Sequence, residues 1–491
     1  MDWCILAEMN WFFLKRRVHV SWLIAICAAG VILGVITSQY IHGFHSIAWL
    51  IVGCALLTSI MGRNVIAIPF AIVAGCIVGL WRGSIDQVQI DAFRAASGGM
   101  AVIEGVVTED PVRDNSGRLK ISVHTATLNE RSASGVVWAS TASQEEVRRG
   151  DTVKVRGKMK EGFSGFAASM GYADLVSVRH PQSSDPMMRL RDGFADMVRK
   201  VIPDPEASLG LGYVVGQRSL LPPDLDEALK IAGLTHIVVA SGYNLTILVR
   251  LSRRLLMRIS KFTAAVGAAG LIVGFIGITG ASPSMSRAGL VAGLSLLAWY
   301  YGRSFHPLVL LPFVAALTLL INPAFGWGDL GWQLSFLAFA GVMIVAPLTQ
   351  RYFFGDKKPG TIRQIAGETI AAQIVTLPVI VVAFGQFSNV AVIANLLILP
   401  LVPLAMLLTF VAGVSAWFLP VVIAESIALP ATLLLRYMIE VANYFASLPW
   451  AQTTIQVNGW IAVGYCMILI ALCGYMARKT GYNLRDSNLV E

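Results

Sequence analysis

The sequence contains few charged residues for its length. Of its 491 residues, 14% are charged and 56% are hydrophobic, and the mean hydropathy is +0.67. A soluble globular domain has about 25% charged and roughly 45–50% apolar residues, so these charged side chains are too few to cover a soluble protein of this size. The composition excludes soluble globular, disordered and fibrous proteins and predicts a mainly α-helical polytopic membrane protein.

The sequence also lacks the motifs of several common sites. Its six cysteines form no CxxC or Cys/His spacing, and none lies between residues 82 and 465, which excludes a zinc site and a disulfide framework. The seven histidines include no HxHxDH run that would gather two metals, and no GxxxxGKS/T phosphate loop is present. We expect no metal, no cofactor and no ATP hydrolysis by such a loop.

Long apolar runs predict about 11–12 transmembrane helices. Three of these runs lie within residues 1–81, and eight or nine follow from residue 234 onward. The first run comes after Lys15, Arg16 and Arg17, as in a signal peptide. No small-x-small cleavage site follows it, so we interpret the run as a membrane span.

The distribution of Lys and Arg predicts how these spans are oriented. Cytoplasmic loops carry an excess of Lys and Arg, and the net charge of the chain is +9. The basic residues 15–17 then hold the N-terminus in the cytoplasm, three spans place residues 82–232 outside, and the basic cluster at 250–261 returns inside. We expect a multi-pass protein of the inner (plasma) membrane.

Residues 82–181 form a different kind of segment, in which hydrophobic residues alternate with polar ones. Five short stretches of this kind are separated by turn formers, which predicts a small, OB-like β-barrel. The sequence therefore divides into three N-terminal transmembrane helices (1–81), an extracytoplasmic OB-like domain (82–181), amphipathic juxtamembrane helices (182–232) and a polytopic channel-type domain (233–491).

Several predicted spans contain polar residues, and a charge within a span costs roughly 2.5–3.5 kcal/mol. These residues either line a polar conduit or hydrogen-bond between packed helices, and Arg287 also fits an interfacial anchor. Because at least four spans carry such residues beside Gly or Pro, we favour the conduit. The candidates are His236, Ser241, Gly242, Asn244, Arg287, Gln333, Ser335, Gln373 and Asn395.

Five sequence blocks follow one another along the chain, from just before Tyr213 to Pro403. They read LGLGYVVGQRSLLPPDLDEALKIAGLTHIVVASGYNLTIL, SPSMSRAGL, INPAFGWGDLGWQLSF, AAQIVTLPVIVVAFGQFS and ANLLILPLVP. With the N-terminal spans and the OB-like domain, they resemble the ComEC competence-protein family. The resemblance implies an inner-membrane channel that translocates single-stranded DNA into the cytoplasm during natural transformation, with the OB-like domain guiding the strand to the pore.

Two departures from the family pattern bear on the chemistry. The family usually has His two residues after its Ser-Gly pair, where this chain has Asn244, so we expect hydrogen bonding there and not proton or metal chemistry. Many members carry a C-terminal metallo-β-lactamase-like domain whose motif is not found here, so we expect no enzymatic activity. The resemblance implies as partners single-stranded DNA, membrane lipid, a separate DNA receptor and nuclease outside, and a DNA motor or single-strand-binding protein in the cytoplasm.

Basic and aromatic residues of the OB-like domain are candidates for DNA contact, because OB folds hold single strands with a basic groove and stacking aromatics. Basic residues alternate along 154–160, which puts them on one face of a regular strand. Nearby acids nearly cancel their charge, so we expect only weak binding by this domain alone. The candidates are Arg113, Arg118, Lys120, Lys154, Arg156, Lys158 and Lys160 for phosphates, and Trp138, Phe163, Phe166 and Tyr172 for bases.

Other function classes remain open. A small-solute transporter with an accessory β-domain fits the same spans. A membrane-embedded serine hydrolase would use Ser241 with His236, but a separation of five residues on one helix turns the two side chains about 140° apart. That enzyme would also need an orienting acid. A family member retained only as a scaffold is the last alternative.

Overall fold

The structure, a computed structural model, is mainly helical. It describes residues 18–41, 43–58, 67–114, 116–181, 185–217, 221–238, 242–280, 283–303, 306–355, 359–455 and 457–481. The helices are α1 Val20–Thr37, α2 Ile47–Leu57, α3 Ala67–Ala95, α4 Pro186–Val201, α5 Glu206–Val215, α6 Pro223–Ile231, α7 Thr235–Val238, α8 Gly242–Leu256, α9 Lys261–Thr279, α10 Pro283–Tyr300, α11 Pro307–Ile321, α12 Leu330–Ala340, α13 Ala346–Phe354, α14 Thr361–Phe384, α15 Ala391–Ile398, α16 Val402–Phe418, α17 Val421–Ala446 and α18 Gly459–Thr480.

The predicted polytopic membrane architecture is confirmed. In the described part of the chain, eight helical segments are long and apolar enough to cross a membrane, and α2 and Leu308–Ile321 are shorter apolar helices. Two of the eight segments are composite. One joins α12 to α13 through a π-helical turn at Gly341–Val345, and the other joins α15 to α16 through a 3-10 turn at Leu399–Leu401.

The first and third helices pack closely because glycines face each other at the contact. A Cβ atom added to Gly30 or Gly34 of α1 would clash with backbone of α3, and one added to Gly75 or Gly79 of α3 would clash with backbone of α1. Small residues allow the backbones of membrane helices to approach in this way. The contact therefore depends on glycine on both sides.

The predicted small barrel is also confirmed. Its main strands close in the order β1-β5-β7-β4-β3 and back to β1, with β4 and β7 parallel and the other pairs antiparallel. The alternating sequence explains the closure, since one side of each strand can fill the interior. The strands are β1 Met100–Val107, β2 Val112–Arg113, β3 Leu119–Leu128, β4 Arg131–Thr141, β5 Thr152–Lys158, β6 Lys160–Glu161 and β7 Ala168–Arg179, and a separate hairpin pairs β8 Gln386–Ser388 with β9 Gln452–Thr454.

One continuous helix links the membrane domain to the barrel. Helix α3 runs through the predicted domain boundary at residue 82, and Phe93 near its end is 1% exposed within the barrel core. Ile90 and Ala96 pack against the same core. The last turns of α3 thus close one end of the barrel, and the fourfold division of the chain stays a prediction.

A second core joins the juxtamembrane helices to the late membrane helices. Phe194 and Val198 of α4 contact Gly413 of α16, where a larger residue would clash. Glu206, at the start of α5, is 4% exposed and accepts a hydrogen bond of 2.8 Å from Arg436 Nε of α17. Residues 185–215 are therefore an integral layer of the membrane domain.

The α1–α3 contact gives the first prediction. We expect Gly75→Val to destabilise the protein by about 1–3 kcal/mol, because the new side chain meets the Cys27 carbonyl. Thermal unfolding in detergent, followed by size-exclusion chromatography, measures the change. The control is Gly464→Val on α18, where a Cβ atom has no neighbour within 4 Å. Equal losses in the two variants would contradict the close contact.

Candidate functional site

The N-terminal ends of α8 and α10 meet inside the membrane domain. A Cβ atom added to Gly242 would lie 2.9 Å from Ala288 Cβ and 3.5 Å from Arg287 Nη2. The contact needs glycine at 242 because any side chain there would press on α10. The structure therefore brings together two of the predicted conduit residues, Gly242 and Arg287.

Arg287 holds its charge in an apolar setting. Its guanidinium carbon lies 5.8 Å from the ring centroid of Phe336 and 5.1 Å from that of Phe339, both on α12. Its Nε is buried without a hydrogen-bond partner, and no ion pair with a carboxylate is formed within the described ranges. Ring faces attract a cation, but they do not neutralise it as an acid would.

His236 lies on the short helix α7 of the membrane domain. Its side chain is exposed, and its ring donates a hydrogen bond to the Gly233 backbone. Ser241, which was predicted beside it, lies outside the described residues.

A second group of polar residues lies next to Gly233. A Cβ atom added to Gly233 would meet Ala391 at 2.5 Å and the Ser388 side chain at 3.3 Å. Gln373 on α14 donates a 3.1 Å hydrogen bond from Nε2 to the Ser388 carbonyl, while Ser388 Oγ is buried without a partner in the described structure. Gln373 thus ties α14 to the hairpin beside the His236 segment.

The remaining predicted conduit residues differ in their surroundings. Gln333 and Ser335 on α12 are half-buried. Asn395 is 2% exposed, and its Oδ1 finds no partner among the described residues. Asn244 is fully buried and donates from Nδ2 to the Tyr213 carbonyl at 3.2 Å. Asn244 therefore packs against α5.

The predicted DNA-contacting residues fall on two walls of the barrel. The first wall contains β3, β4 and β7 with the loops beside them. Strands β3 and β4 are the second and third main strands of the barrel, and OB folds use these two strands with two adjoining loops to bind ligands. The members of the first wall are Arg113, Arg118, Lys120, Trp138, Lys160, Phe163, Phe166 and Tyr172.

Several cations of the first wall are already engaged. Arg118 donates to the carbonyls of Ser140 and Gly171 at 3.0 and 3.1 Å and lies 4.4 Å from the Tyr172 ring centroid. Lys120 Nζ is 3.5 Å from Asp114 Oδ2. The Ser116 hydroxyl, together with backbone N–H groups and Lys120, lowers the pKa of Asp114 to about 2, so that acid is ionised at neutral pH.

The aromatic residues of the first wall form a cluster at the membrane end of the barrel. The Phe163 ring is 5.6 Å from Trp138 and 5.5 Å from Phe166, and Phe163 is half exposed. The adjoining Ser164 accepts a 3.5 Å hydrogen bond at Oγ from the Leu330 N–H at the start of α12. The cluster therefore sits where the barrel meets the membrane domain.

The second wall carries the alternating basic residues of β5. Lys154, Arg156 and Lys158 point outward from a strand whose intervening residues are buried, as the alternation predicted. The prediction was wrong for Lys160, because β5 ends at Lys158 and Lys160 lies on the separate strand β6, which pairs with β7. The register of β5 places Glu104 opposite Lys154 on β1 and Asp174 opposite Arg156 on β7. Strand β7 lies between β5 and β4, and therefore separates these cations from Trp138.

The comparison with known proteins identifies the family. A family model described as "Competence protein" matches residues 213–479, which is more than half of the chain. The chain belongs to the competence-protein family. The matched segment begins in α5 and includes every predicted conduit residue.

A curated relative of this competence-family chain is ComE operon protein 3 of Bacillus subtilis (strain 168). The two are 26% identical over 234 residues, which cover 46% of this chain and 29% of that relative. The chain thus matches less than a third of the relative's length. No solved structure is detectably similar to it.

Sequence reasoning missed a buried ionic network between the barrel and the membrane domain of this competence-family protein. Arg191 of α4 is 5% exposed, and its Nη1 lies 2.7 Å from Asp110 Oδ2 in the β1–β2 loop. Its Nε lies 3.0 Å from Asp192 Oδ1, which also accepts a 3.1 Å hydrogen bond from Gln217 Nε2. No local pattern reveals this network, because Asp110 and Arg191 are 81 residues apart.

A further contact fixes the barrel on the membrane domain. Arg149 Nη2 donates to the Gly277 carbonyl of α9 at 3.1 Å. Asp329, the N-cap of α12, accepts from the Trp332 N–H of its own helix. Burial raises the pKa of Asp329, and repulsion from Glu109 in the barrel raises it further. The barrel therefore touches α4, α9 and α12 at once.

The buried network gives a stability prediction. We expect Arg191→Leu to cost about 1.5–3 kcal/mol, because charge-assisted hydrogen bonds to Asp110 and Asp192 are lost while both carboxylates keep some contact with solvent. Adding Asp110→Asn to that variant should recover part of the loss. Thermal unfolding in detergent measures both changes. The control is Arg189→Leu, an exposed arginine on the same helix, and a loss of similar size there would contradict the assignment.

Proposed function

We propose that this protein is an inner-membrane channel that passes single-stranded DNA into the cytoplasm during natural transformation. Membership of the competence-protein family and the multi-pass helical architecture support this function. The curated relative is named for a competence operon, which agrees with the proposal. In this proposal the N-terminus is cytoplasmic and the barrel is extracytoplasmic.

The guanidinium of Arg287 is the single observation that carries the proposal. It lies among the helices of the membrane domain over two aromatic rings, with its Nε unpaired and no carboxylate paired with it in the described structure. An unbalanced cation in a membrane domain is costly and marks a functional site. A passing phosphate is a partner that supplies the missing negative charge.

The surroundings of Arg287 suit a strand that must keep moving. Gln333 and Ser335 are half-buried neutral hydrogen-bonding groups on α12, the helix whose Phe336 and Phe339 rings lie beside Arg287. Conduction requires binding that is favourable enough for entry and weak enough for release. One cation with neutral polar neighbours meets that requirement better than a cluster of arginines.

The barrel would guide the strand to the membrane domain. Its half-exposed Phe163 and the adjoining Trp138 lie where the barrel contacts the start of α12, which also carries Gln333 and the rings beneath Arg287. Bases stack on such rings without sequence preference. In this proposal the chain has no nuclease activity, and a separate receptor, nuclease and DNA motor or single-strand-binding protein act beside it.

Substitution of Arg287 tests the channel. We expect Arg287→Gln to reduce transformation about 10- to 150-fold, which corresponds to losing a charge-assisted bond of about 1.5–3 kcal/mol. Arg287→Lys should retain most of the activity because it keeps the charge. DNA bound at the cell surface should not change. Transformation frequency, normalised to protein level in the membrane, is the measurement.

The control for this test is Arg189→Gln, because Arg189 is exposed on α4. Normal transformation after deletion of the gene would refute the channel. Uptake of a small solute into proteoliposomes that ignores added oligonucleotide would indicate the transporter instead. Labelling of Ser241 by a serine-reactive probe would indicate the hydrolase.

The two walls of the barrel make different predictions. We expect Phe163→Ala to weaken oligonucleotide binding by about 1–3 kcal/mol, or roughly 5- to 150-fold, because a stacking surface is lost. Arg156→Gln should change binding far less, since Arg156 lies on β5, which does not pair with the Trp138 strand β4, and Asp174 lies opposite it. Fluorescence anisotropy with the full chain in detergent measures both. The reverse order would assign binding to the β5 wall.

A further inference from the structure

Residues 228–328 form a long acid-free segment. They contain eight basic residues and no Asp or Glu, although the whole chain has 29 acidic residues. The segment covers α7 to α11, including the two helices whose starts meet at Arg287. Lys230 is ion-paired at 2.6 Å with Asp226, just before the segment. The other seven positive charges have no acid within the segment to balance them, and their fields add.

Helices α8 and α10 lie side by side and run in the same direction. Gly242 meets Ala288 near their starts, and the Arg253 guanidinium lies 4.1 Å from the Trp299 ring centroid near their ends. Both pairs of contacts are eleven residues apart along their helices, or about 16 Å at 1.5 Å per residue. The two helices thus connect Arg287 with a second positive site.

The second positive site combines cations with aromatic rings. We call it the helix-end cluster and define it as Arg250, Arg253, Arg254, Arg258 and Lys261 with Trp299, Tyr300 and Tyr301. Lys261 Nζ lies 5.6 Å from the ring centroids of both Trp299 and Tyr300. Tyr301 is 72% exposed, and Arg250 and Arg254 are exposed or half-exposed.

The helix-end cluster lies on the side of the membrane domain away from the barrel. Helix α9 begins with Lys261 in the cluster, and the barrel residue Arg149 binds the Gly277 carbonyl near its other end. Sixteen residues of helix separate these points, or about 24 Å. That length is most of a hydrocarbon core of about 30 Å.

We infer that α8 and α10 form an electropositive track, and that the helix-end cluster binds the phosphates and bases of the single strand as it leaves the membrane domain. This inference rests on the proposed function and adds an exit-side binding site to it. Exposed tyrosine beside several arginines is the combination that holds single strands without sequence preference. Arg287 and the helix-end cluster are then two successive binding sites for the strand.

A second basic group provides a matched control. Arg351, Arg478 and Lys479 lie at the ends of α13 and α18 with Tyr352 and Tyr475, and Lys479 Nζ is 5.4 Å from the Tyr352 ring centroid. Like the helix-end cluster, this group combines basic and aromatic residues. Its basic residues also predict a position on the cytoplasmic side of the membrane. It lies on neither α8 nor α10, so the track excludes it.

Binding of an oligo(dT) probe tests the site in equilibrium. The full chain is placed in nanodiscs of neutral phosphatidylcholine, and affinity is measured against salt concentration. We expect the triple change Arg250→Gln, Arg254→Gln, Arg258→Gln to reduce the magnitude of the log–log salt slope by about 2, at about 0.7 per phosphate contact on a single strand. The triple change Arg351→Gln, Arg478→Gln, Lys479→Gln should leave the slope unchanged. Equal effects would overturn the inference.

Crosslinking during uptake separates the inference from the proposed function and does not depend on the charge variants. A photoreactive benzoylphenylalanine replaces Tyr301 in the cluster, Phe339 beside Arg287 or the exposed Phe353 in the control group, and DNA is stalled during transformation. We expect crosslinks from positions 339 and 301 and none from 353.

Each other outcome of this experiment has a defined meaning. A crosslink from position 339 alone would overturn the track and leave the channel standing. A crosslink from neither position 339 nor position 301 would overturn the proposed function. If the cluster variants lose anionic phospholipid while DNA crosslinks persist, the cluster is a lipid site and the inference fails.

Discussion

The cost of leaving a cation unpaired in an apolar environment is the constraint on which the membrane domain depends. Arg191 forms an ion pair with Asp110, and Arg436 forms one with Glu206. Each ion pair joins parts of the chain that are far apart in sequence. Arg287 is held differently, by two aromatic rings and a glycine-lined contact. The buried Arg191 and the more exposed Arg436 thus join distant parts of the chain through ion pairs, whereas we propose that the unpaired Arg287 serves recognition.

The barrel is held by polar contacts together with the apolar end of α3. Arg191, Arg149 and Ser164 form hydrogen bonds that connect the barrel with different helices of the membrane domain, and α3 enters the barrel core at Phe93. These contacts place the Trp138–Phe163 cluster at the start of α12. The aromatic cluster and the membrane domain therefore have a fixed relative position.

Much of the architecture follows from local patterns. The apolar runs predicted the membrane helices, and the period-two alternation predicted the barrel, because each pattern reports the surroundings of a residue. The continuation of α3 into the barrel was missed. The helix continues beyond the bilayer with more polar residues, so the apolar pattern that predicted the span ends before the helix does. The partner of Asn244 could not be predicted either, because Tyr213, whose carbonyl accepts its hydrogen bond, lies 31 residues away. The ion pair of Arg191 with Asp110 could not be predicted, because a single sequence does not show which distant residues form an ion pair.

The unbroken helix α3, which carries Phe93 into the barrel, sets the orientation of the barrel through its helical phase. Each residue of an α-helix turns the chain by about 100°, so one amino acid inserted between residues 82 and 90 would rotate the end of the helix by just over a quarter of a turn. The number of residues in α3 therefore constrains the orientation of the barrel, quite apart from the identity of their side chains.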